Sequence, residues 1–251
     1  MPPVLTAVTD TVHLAYTPLV NWTLVSDDSG VMLIDAGFPG NRDDVLTSVQ
    51  ALGFAAGDVR AILLTHAHID HLGTAIWFAE RHRTPVYCHR GEVGHARRDY
   101  LQQVAPAALA SQVWRPRWLT WSAQVVAKGG LVRSGIPTVR ALSDDVAAGL
   151  PGRPVPLPTP GHTSGHCSYL VDGVLVTGDA LVTGHPLAQR TGPQLLPSMF
   201  NHSDADCRRS LQVLAGAGTE VLIPGHGQVW VGPIREAVGE AGGGVSDADG
   251  V

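Results

Sequence analysis

Four side chains of the kinds that bind metal ions lie within six residues of one another, in the segment His66-x-His68-x-Asp70-His71. Side chains two apart on an extended segment point the same way, so His66 and His68 can hold one ion. Asp70 and His71 follow where the chain turns, and they can face a second ion beside the first. Because imidazole and carboxylate groups suit zinc, iron and other first-row metals, the segment predicts a site for two divalent ions.

Three later segments each add one possible ligand in a turn that contains glycine and follows an apolar run. They are Pro160-Gly161-His162-Thr163, Thr177-Gly178-Asp179-Ala180 and Pro224-Gly225-His226-Gly227. Glycine lets the backbone turn tightly and approach an ion closely. Together with the first segment, they supply five histidines and two aspartates. That is enough to fill two metal sites and leave room for water.

The elements that must position these groups follow from apolar patterning and turn residues. The run 59–64 is typical of a buried strand, and it leads directly into His66. Residues 91–140 are predicted to form a helical insertion, and 146–158 a connection. Because strands and helices are mixed in both halves, the pattern favours layered sheets with helices outside. Helices are predicted over 42–52, 73–83 and 204–214, and strands over 20–25, 31–34, 85–88, 167–170, 174–177 and 221–223.

The composition is that of a globular protein, with 44% hydrophobic and 16% charged residues in a chain of 251. We expect one domain over 1–235 and a flexible tail over 236–251. A net charge of −5 argues against a nucleic-acid partner. Three separated cysteines, Cys88, Cys167 and Cys207, are typical of a reducing compartment. With no leader peptide or membrane span expected, the predicted location is the cytoplasm.

The HxHxDH segment, the later GHT, GDA and GHG segments and their order resemble the metallo-β-lactamase superfamily. The resemblance extends over roughly residues 20–227. It implies an α/β fold, namely an αβ/βα four-layer sandwich with the metal ions at one edge and a helical insertion at about 91–140. It also implies the ligands of each ion. These are His66, His68 and His162 for the first ion, Asp70, His71 and His226 for the second, and Asp179 as a bridge between them.

The resemblance further implies side chains that support the ligands. Asp35, in Leu33-Ile34-Asp35-Ala36-Gly37, matches an aspartate of the family that lies behind the ligands. Thr65 and His166 are further candidates for the same role. A ligand histidine needs an acceptor that fixes its other ring nitrogen, which is the task we predict for these residues.

The expected activity is hydrolysis. Two ions about 3.5–4 Å apart share a water and lower its pKa towards neutrality, so that the hydroxide can attack a carbonyl. Asp70 would orient that water or relay its proton. We therefore predict a metal-dependent hydrolase that cleaves an ester, lactone or thioester bond of a small molecule. Zinc is the expected metal, and iron and manganese fit the same ligands.

Several subfamilies remain open. A bridging aspartate at position 179 is unlike true β-lactamases, so β-lactamase-like amide hydrolysis is an alternative only. The first segment is similar to glyoxalase II, a thioesterase, although a basic C-terminal helical domain is expected there and an acidic, glycine-rich tail follows here. Acyl-homoserine lactonases share the seven ligands and an insertion, but their usual tyrosine between Asp179 and His226 is missing. Another alternative is a mononuclear iron enzyme similar to persulfide dioxygenases.

Substrate contacts are predicted from two regions. The insertion carries clustered tryptophans, Trp114, Trp118 and Trp121, which either pack it onto the body or form an apolar wall over the pocket. The stretch between Asp179 and His226 supplies the other candidates, and one of its histidines at 185 or 202 would donate a proton in place of tyrosine. The candidates in the stretch between Asp179 and His226 are His185, Arg190, Asn201 and His202. A small molecule is the only expected partner, without nucleic acid or membrane, and a homodimer is left open.

Overall fold

The computed structural model describes residues 2–104 and 106–243, and the strands within these ranges form two sheets. The first sheet has seven strands that follow one another in chain order, and the second has five in the order β12-β11-β10-β9-β8. The strands of the first sheet are β1 Val4–Ala7, β2 Val12–Tyr16, β3 Trp22–Asp27, β4 Gly30–Ile34, β5 Val59–Leu64, β6 Val86–Cys88 and β7 Arg140–Ala141. Those of the second are β8 Val155–Pro158, β9 Cys167–Val171, β10 Val174–Gly178, β11 Val221–Pro224 and β12 Trp230–Val231.

Helices connect or flank these strands. Short 3-10 turns occur at Pro39–Asn41, Ala56–Asp58, Arg90–Glu92 and Ser198–Phe200. Over the described residues, no helix is both long enough and apolar enough to cross a membrane. The helices are α1 Arg42–Ala51, α2 Ile69–Arg81, α3 Val93–Arg97, α4 Pro106–Ala110, α5 Pro116–Ala127, α6 Asp144–Ala148, α7 Asp204–Ala215 and α8 Ile234–Gly243.

Alternation along the central strands divides the core into layers. In β4, Val31 and Leu33 face one apolar cluster, while Met32 and Ile34 face another. The first cluster also contains apolar side chains of α1 and α2, and the second fills the space between the two sheets. A third cluster packs Leu175 of β10 against α7 and α8. The order helix, sheet, sheet, helix confirms the predicted αβ/βα four-layer sandwich.

Parallel pairing brings the ends of several strands to one edge. Strands β4, β5 and β6 pair in parallel, and so do β10 and β11 in the other sheet. The carboxyl ends of parallel strands meet at a common edge, and loops that leave such an edge form sites in α/β proteins. Every predicted metal ligand except His162 follows the end of β5, β10 or β11. The topology therefore gathers ligands that the sequence distributes from His66 to His226.

Several predicted elements need correction. Helix α2 begins at Ile69, four residues before the predicted start, because the backbone N–H groups of His71 and Leu72 donate to His68 O. Part of the predicted connection over 146–158 is strand β8, which pairs with β9. The insertion is helical only in α3, α4 and α5 among its described residues. Strands β1 and β2 were not predicted.

The predicted flexible tail over 236–251 is wrong for residues 236–243. These residues belong to α8, whose apolar stripe of Ile234, Ala237, Val238 and Ala241 is buried against the second sheet and α7. The glycines and alanines that suggested a frayed tail are compatible with this because small side chains let the helix approach closely. Residues 244–251 lie outside the described residues.

Two substitutions in α8 distinguish a packed helix from a frayed tail. Gly239 is exposed in the helix interior, and a Cβ there would contact nothing within 4 Å. We expect Gly239→Ala to stabilise the protein by about 0.5–1 kcal/mol, because alanine favours the helical backbone. Ala237→Asp should destabilise it by on the order of 3 kcal/mol, because it buries an unpaired charge. Urea unfolding measures both, and two unchanged midpoints would show that α8 does not contribute to the fold.

Candidate metal centre

The seven predicted ligands converge at the edge where the parallel strands end. Their donor atoms form three overlapping groups, and within each group the atoms lie within 4.8 Å of one another. His66 belongs to two groups and His71 to two, so the three groups form one continuous centre. The groups are His66, His68 and His162; His66, His71 and Asp179; and Asp70, His71 and His226.

Asp179 lies in the middle of this centre. Its Oδ2 is 3.4 Å from His162 Nε2 and 3.2 Å from His226 Nε2, and its Oδ1 is 3.5 Å from His71 Nε2. Asp70 Oδ2 is 3.7 Å from His226 Nε2 and 3.8 Å from His71 Nε2. One carboxylate therefore faces histidines of both predicted sites, while the other faces only those of the second.

Unpaired buried atoms test whether a cation fits here. Among the described residues, His66 Nε2, His71 Nε2 and Asp179 Oδ1 are buried without a hydrogen-bond partner. Buried polar atoms in folded proteins are nearly always paired, so three orphans in one cluster require a reason. Nitrogen and carboxylate oxygen are the donors that zinc and related divalent ions prefer. The donor set therefore fits divalent metal ions.

The protonation states of the ligand histidines differ. Burial and the neighbouring His71 and His68 hold the pKa of His66 well below its ordinary value, so its ring is neutral and can offer a lone pair. Burial alone would also lower the pKa of His71, but the carboxylates of Asp179, Asp35 and Asp70 raise it to about 10. The three carboxylates therefore favour positive charge at this point, which a metal ion would supply in place of the proton.

Asp35 supports two ligands at once. His71 Nδ1 lies 2.8 Å from Asp35 Oδ2 and donates to it in the tautomer that leaves Nε2 free. Thr65 Oγ1 donates to the same oxygen at 2.7 Å and lies 3.1 Å from His66 Nδ1, while Thr65 N donates to Asp35 Oδ1. Asp35 has a φ of 62°, in the left-handed region that few side chains adopt. The structure thus brings Asp35 and Thr65 to the positions behind the ligands that the sequence predicted.

The other ligand histidines are held by acceptors that the sequence did not reveal. His68 Nε2 lies 2.5 Å from Gln102 O, and His226 Nδ1 lies 2.6 Å from Leu19 O. His68 therefore turns Nδ1 towards the centre, whereas the rings of the other four ligand histidines turn Nε2 towards it. Because both acceptors are backbone carbonyls, the identity of the residue carries no information about this role.

Asn201 lies beside a ligand. It lines the pocket next to the cleft, and its Oδ1 lies 3.3 Å from His162 Nδ1 while its Nδ2 donates to Asp204 Oδ1. It therefore supports a ligand from the turn before α7, and its contact with substrate stays a prediction. Its position after a turn and three residues before Asp204 offered no pattern that distinguishes the two roles.

His166 fixes the backbone of Asp179. Its Nε2 accepts the N–H of Asp179 at 3.1 Å, and its Nδ1 lies 3.0 Å from Thr159 Oγ1. Burial lowers the pKa of His166 to about 4, so the ring stays neutral and can accept. The neighbouring backbone must be glycine at 225, because a Cβ there would overlap Asp179 Oδ1. The glycine at position 225 therefore leaves steric room for the Asp179 carboxylate.

A cleft lined mostly by apolar side chains opens above the centre. Trp121, His185 and Phe200 form a cluster on one wall, with ring centroids 5.5–6.0 Å apart. The ring of His185 also lies 5.0 Å from that of His226. Among the described residues that line the cleft, none is lysine or arginine. The apolar lining consists of Phe38, Ile69, Val104, Leu109, Trp121, Val125, Leu196 and Phe200.

The predicted substrate contacts are only partly brought together. His185 lines the cleft, and Trp118 stacks on Phe200 with ring centroids 6.1 Å apart. His202 lines a neighbouring pocket. The lining of the cleft does not include Trp114, which is 74% exposed, or Arg190, whose guanidinium donates to Pro193 O and Glu240 O. The exposure of Trp114 depends on how the insertion packs, and the contacts of Arg190 depend on how α8 packs.

Comparisons with known proteins agree with this geometry. A family model described as the metallo-beta-lactamase superfamily matches residues 16–226. The probable metallo-hydrolase YflN of Bacillus subtilis is 29% identical over 223 residues, which are 81% of this chain and 78% of YflN. A hydroxyacylglutathione hydrolase of Xanthomonas campestris is 32% identical over 162 residues, 64% of this chain and 45% of that protein. The crystal structure of a metallo-beta-lactamase family protein from Thermus thermophilus superposes with a TM-score of 0.64 at 26% identity, covering 94% of this chain and 80% of that one.

The role of Asp35 is tested by Asp35→Asn. Asparagine keeps the size and tolerates a positive φ, but it weakens the acceptor behind His71 and Thr65. We expect the affinity for Zn²⁺ to fall by about 10–100-fold, measured by competition with a chromophoric chelator. Asp172→Asn is a matched control, because Asp172 has a φ of 45° but is exposed in the β9–β10 turn. Equal affinities of both variants and the wild type would remove Asp35 from the centre.

Proposed function

The chain belongs to the metallo-beta-lactamase superfamily and is a metal-dependent hydrolase, and we propose that it cleaves an ester, lactone or thioester bond of a small, largely apolar molecule at two divalent metal ions. Zinc is the metal that we propose, because five imidazoles and two carboxylates form a borderline-soft donor set. The first ion would be held by His66, His68 and His162. The second would be held by Asp70, His71 and His226, with Asp179 shared.

The position of Asp179 is the observation that carries the proposal. Its Oδ2 lies within 3.4 Å of His162 Nε2 and within 3.2 Å of His226 Nε2, although these histidines come from loops of opposite halves of the second sheet. Burial alone would raise the pKa of Asp179, but His226 and His71 outweigh this effect and hold the pKa well below its usual range. An anion so placed between two sets of imidazoles supports a pair of ions rather than one.

The chemistry divides between the ions and the chain. Bound divalent ions would lower the pKa of a water and polarise the scissile carbonyl. Asp70 is the residue that we propose to orient this water and accept its proton, because its side chain is 21% exposed to the cleft while Asp179 is buried.

The lining of the cleft supports an apolar substrate. A substrate with an apolar acyl group would bury that group against Leu109, Trp121 and Val125. The described lining offers no lysine or arginine to a substrate with several carboxylates. We therefore favour a lactone or ester with an apolar acyl part.

A thioester is the second candidate, for a different reason. The relative named hydroxyacylglutathione hydrolase is 32% identical over 64% of this chain. The same ligand set would serve either bond, because the attacked atom is a carbonyl carbon in both. The two candidates differ in the charge of the part of the substrate that lies outside the cleaved bond. The apolar lining of the cleft favours the lactone or ester, and the similarity to this relative favours the thioester.

Metal content and hydrolysis must be measured on one sample. We expect two metal ions per chain in protein purified without added metal, together with turnover of a homoserine lactone, an aryl ester or S-lactoylglutathione. Asp70→Asn is the control against a contaminating hydrolase, and it should lower turnover by about 10²–10⁴-fold and reduce occupancy of the second site. One iron per chain with oxygen uptake and no hydrolysis would contradict the proposal, and turnover of a cephalosporin alone would point to amide hydrolysis.

Chain-length preference tests the apolar wall. We expect Trp121→Ala to lower kcat/KM for an aryl decanoate about tenfold while it changes the value for the aryl acetate little, because only the longer acyl group reaches this wall. Trp114→Ala is the matched control, because Trp114 is 74% exposed and lies outside the cleft. A parallel loss for both esters would show that Trp121 acts on the metal centre or on stability instead of on the acyl group.

A further inference from the structure

Glu92 is a fully buried carboxylate with no role in the proposed chemistry. It follows β6 in a 3-10 turn, and its relative exposure is 0%. Each of its oxygens accepts two hydrogen bonds, and three of these four come from segments far away in the chain. Burying an ionised carboxylate costs several kcal/mol unless it is fully paired, and an apolar residue of similar size would avoid this cost. A buried, fully paired glutamate therefore calls for a function.

One oxygen of Glu92 holds the first ligand segment. Oε1 accepts the backbone N–H of Ala67 at 2.8 Å, and Ala67 is the residue between His66 and His68. The carbonyl of the same residue accepts a hydrogen bond from Arg98 Nη1, also at 2.8 Å. Both backbone groups of Ala67 are thus paired with charged side chains. This fixes the peptide planes from which the two ligand histidines project.

The other oxygen holds the loop that carries the third ligand. Oε2 accepts Thr163 Oγ1 at 2.9 Å and the N–H of Gly165 at 3.1 Å, and both residues follow His162 closely. The turn at Gly91 and Glu92 approaches this loop so closely that a Cβ at position 165 would overlap Glu92 N. One carboxylate therefore joins two ligand segments that are far apart in the chain.

A chain of hydrogen bonds continues from Glu92 to a ligand. His95 Nδ1 lies 2.7 Å from Glu92 Oε1, and His95 Nε2 accepts the N–H of Gln102 at 3.3 Å. The carbonyl of Gln102 then accepts from His68 Nε2 at 2.5 Å. The donor and acceptor order is consistent throughout, with a proton on His95 Nδ1 and another on His68 Nε2. It leaves a lone pair on His68 Nδ1, which is directed at the centre and lies 2.9 Å from Nε2 of the ligand His162.

The carboxylate is ionised. Burial alone would raise the pKa of Glu92, but the hydrogen bond from His95 and those from Ala67 and Thr163 outweigh it and hold the pKa below its ordinary value.

We propose that Glu92 is a positioning residue for the first metal site: it holds His66, His68 and His162 in register and, through His95 and Gln102, sets the tautomer in which His68 binds through Nδ1. The second site has no such link, because among the described residues Asp70, His71 and His226 donate no hydrogen bond to Glu92. The inference rests on the proposed pair of metal ions, and it assigns the two sites different supports.

Separate backgrounds make the test specific for each site. His226→Ala removes a ligand of the second site only, and His162→Ala removes a ligand of the first. In each background, the dissociation constant for Zn²⁺ is measured by competition with a chromophoric chelator, with and without Glu92→Gln. We expect Glu92→Gln to weaken binding by about 10–100-fold in the His226→Ala background and by less than about threefold in the His162→Ala background. An amide in place of the carboxylate turns an NH₂ group towards two donors, so two of the four hydrogen bonds are lost.

Two further variants separate positioning from general stability. Ser48→Ala removes a buried hydrogen bond from Trp22 Nε1 that lies outside the centre, so it should lower the Tm of the metal-free protein and leave both dissociation constants unchanged. His95→Phe keeps the bonds of Glu92 to both loops but breaks the link to Gln102, and it should also weaken the first site.

The outcomes that overturn the inference are distinct. Equal weakening of both sites by Glu92→Gln, or a lower Tm with an unchanged first site, would show that Glu92 serves the fold alone. If Glu92→Gln does not fold, an unchanged first site in His95→Phe overturns the inference instead. Failure of both single-site backgrounds and of the wild type to bind Zn²⁺ would overturn the proposed function as well.

Discussion

The placement of one buried carboxylate, Asp179, constrains the rest of the structure. It must lie within reach of histidines that enter from β5, from the loop before β9 and from β11, which belong to two different sheets. The two sheets can meet this requirement only if their parallel strands end at the same edge. The close packing of Gly225 and the hydrogen bond from the backbone of Asp179 to His166 then restrict the position of the carboxylate.

The sequence predicted this centre better than it predicted the surroundings. The spacing His66-x-His68-x-Asp70-His71 predicts which way the side chains point after a strand end, and a glycine next to a ligand indicates a backbone that must approach closely. Both are local properties of the sequence. Asp35 was predictable only through family resemblance. Support from Gln102 and Leu19 was not, because a backbone carbonyl acts in the same way whatever the side chain.

The errors in the fold have a common physical origin. Helix α2 starts early because its first turn is stabilised by His68 O and not by apolar periodicity. Helix α8 looked like a frayed tail because its buried stripe uses alanine, which weakens the apolar pattern, and because its packing against α7 cannot be read from local sequence. The wall of the cleft was hard to predict for a similar reason, since Trp114, Trp118 and Trp121 have the same residue type and only packing of α5 decides which one faces the substrate.

Charge gives a deeper reason for this arrangement. Among the described residues, the buried acidic side chains are Asp35, Glu92 and Asp179, and no lysine or arginine is buried with them. All three lie in the centre or pair with its ligand segments, and Asp70 adds a fourth carboxylate at its edge. Four negative charges match the charge of two divalent cations. Since buried charge is costly unless it is compensated, the chain has concentrated its buried carboxylates where cations would neutralise them. Asp35 and Glu92 pair with different parts of the first ligand segment. Asp35 accepts hydrogen bonds from Thr65 and His71, and Glu92 accepts one from the backbone of Ala67. Both carboxylates also add negative potential that attracts the cations.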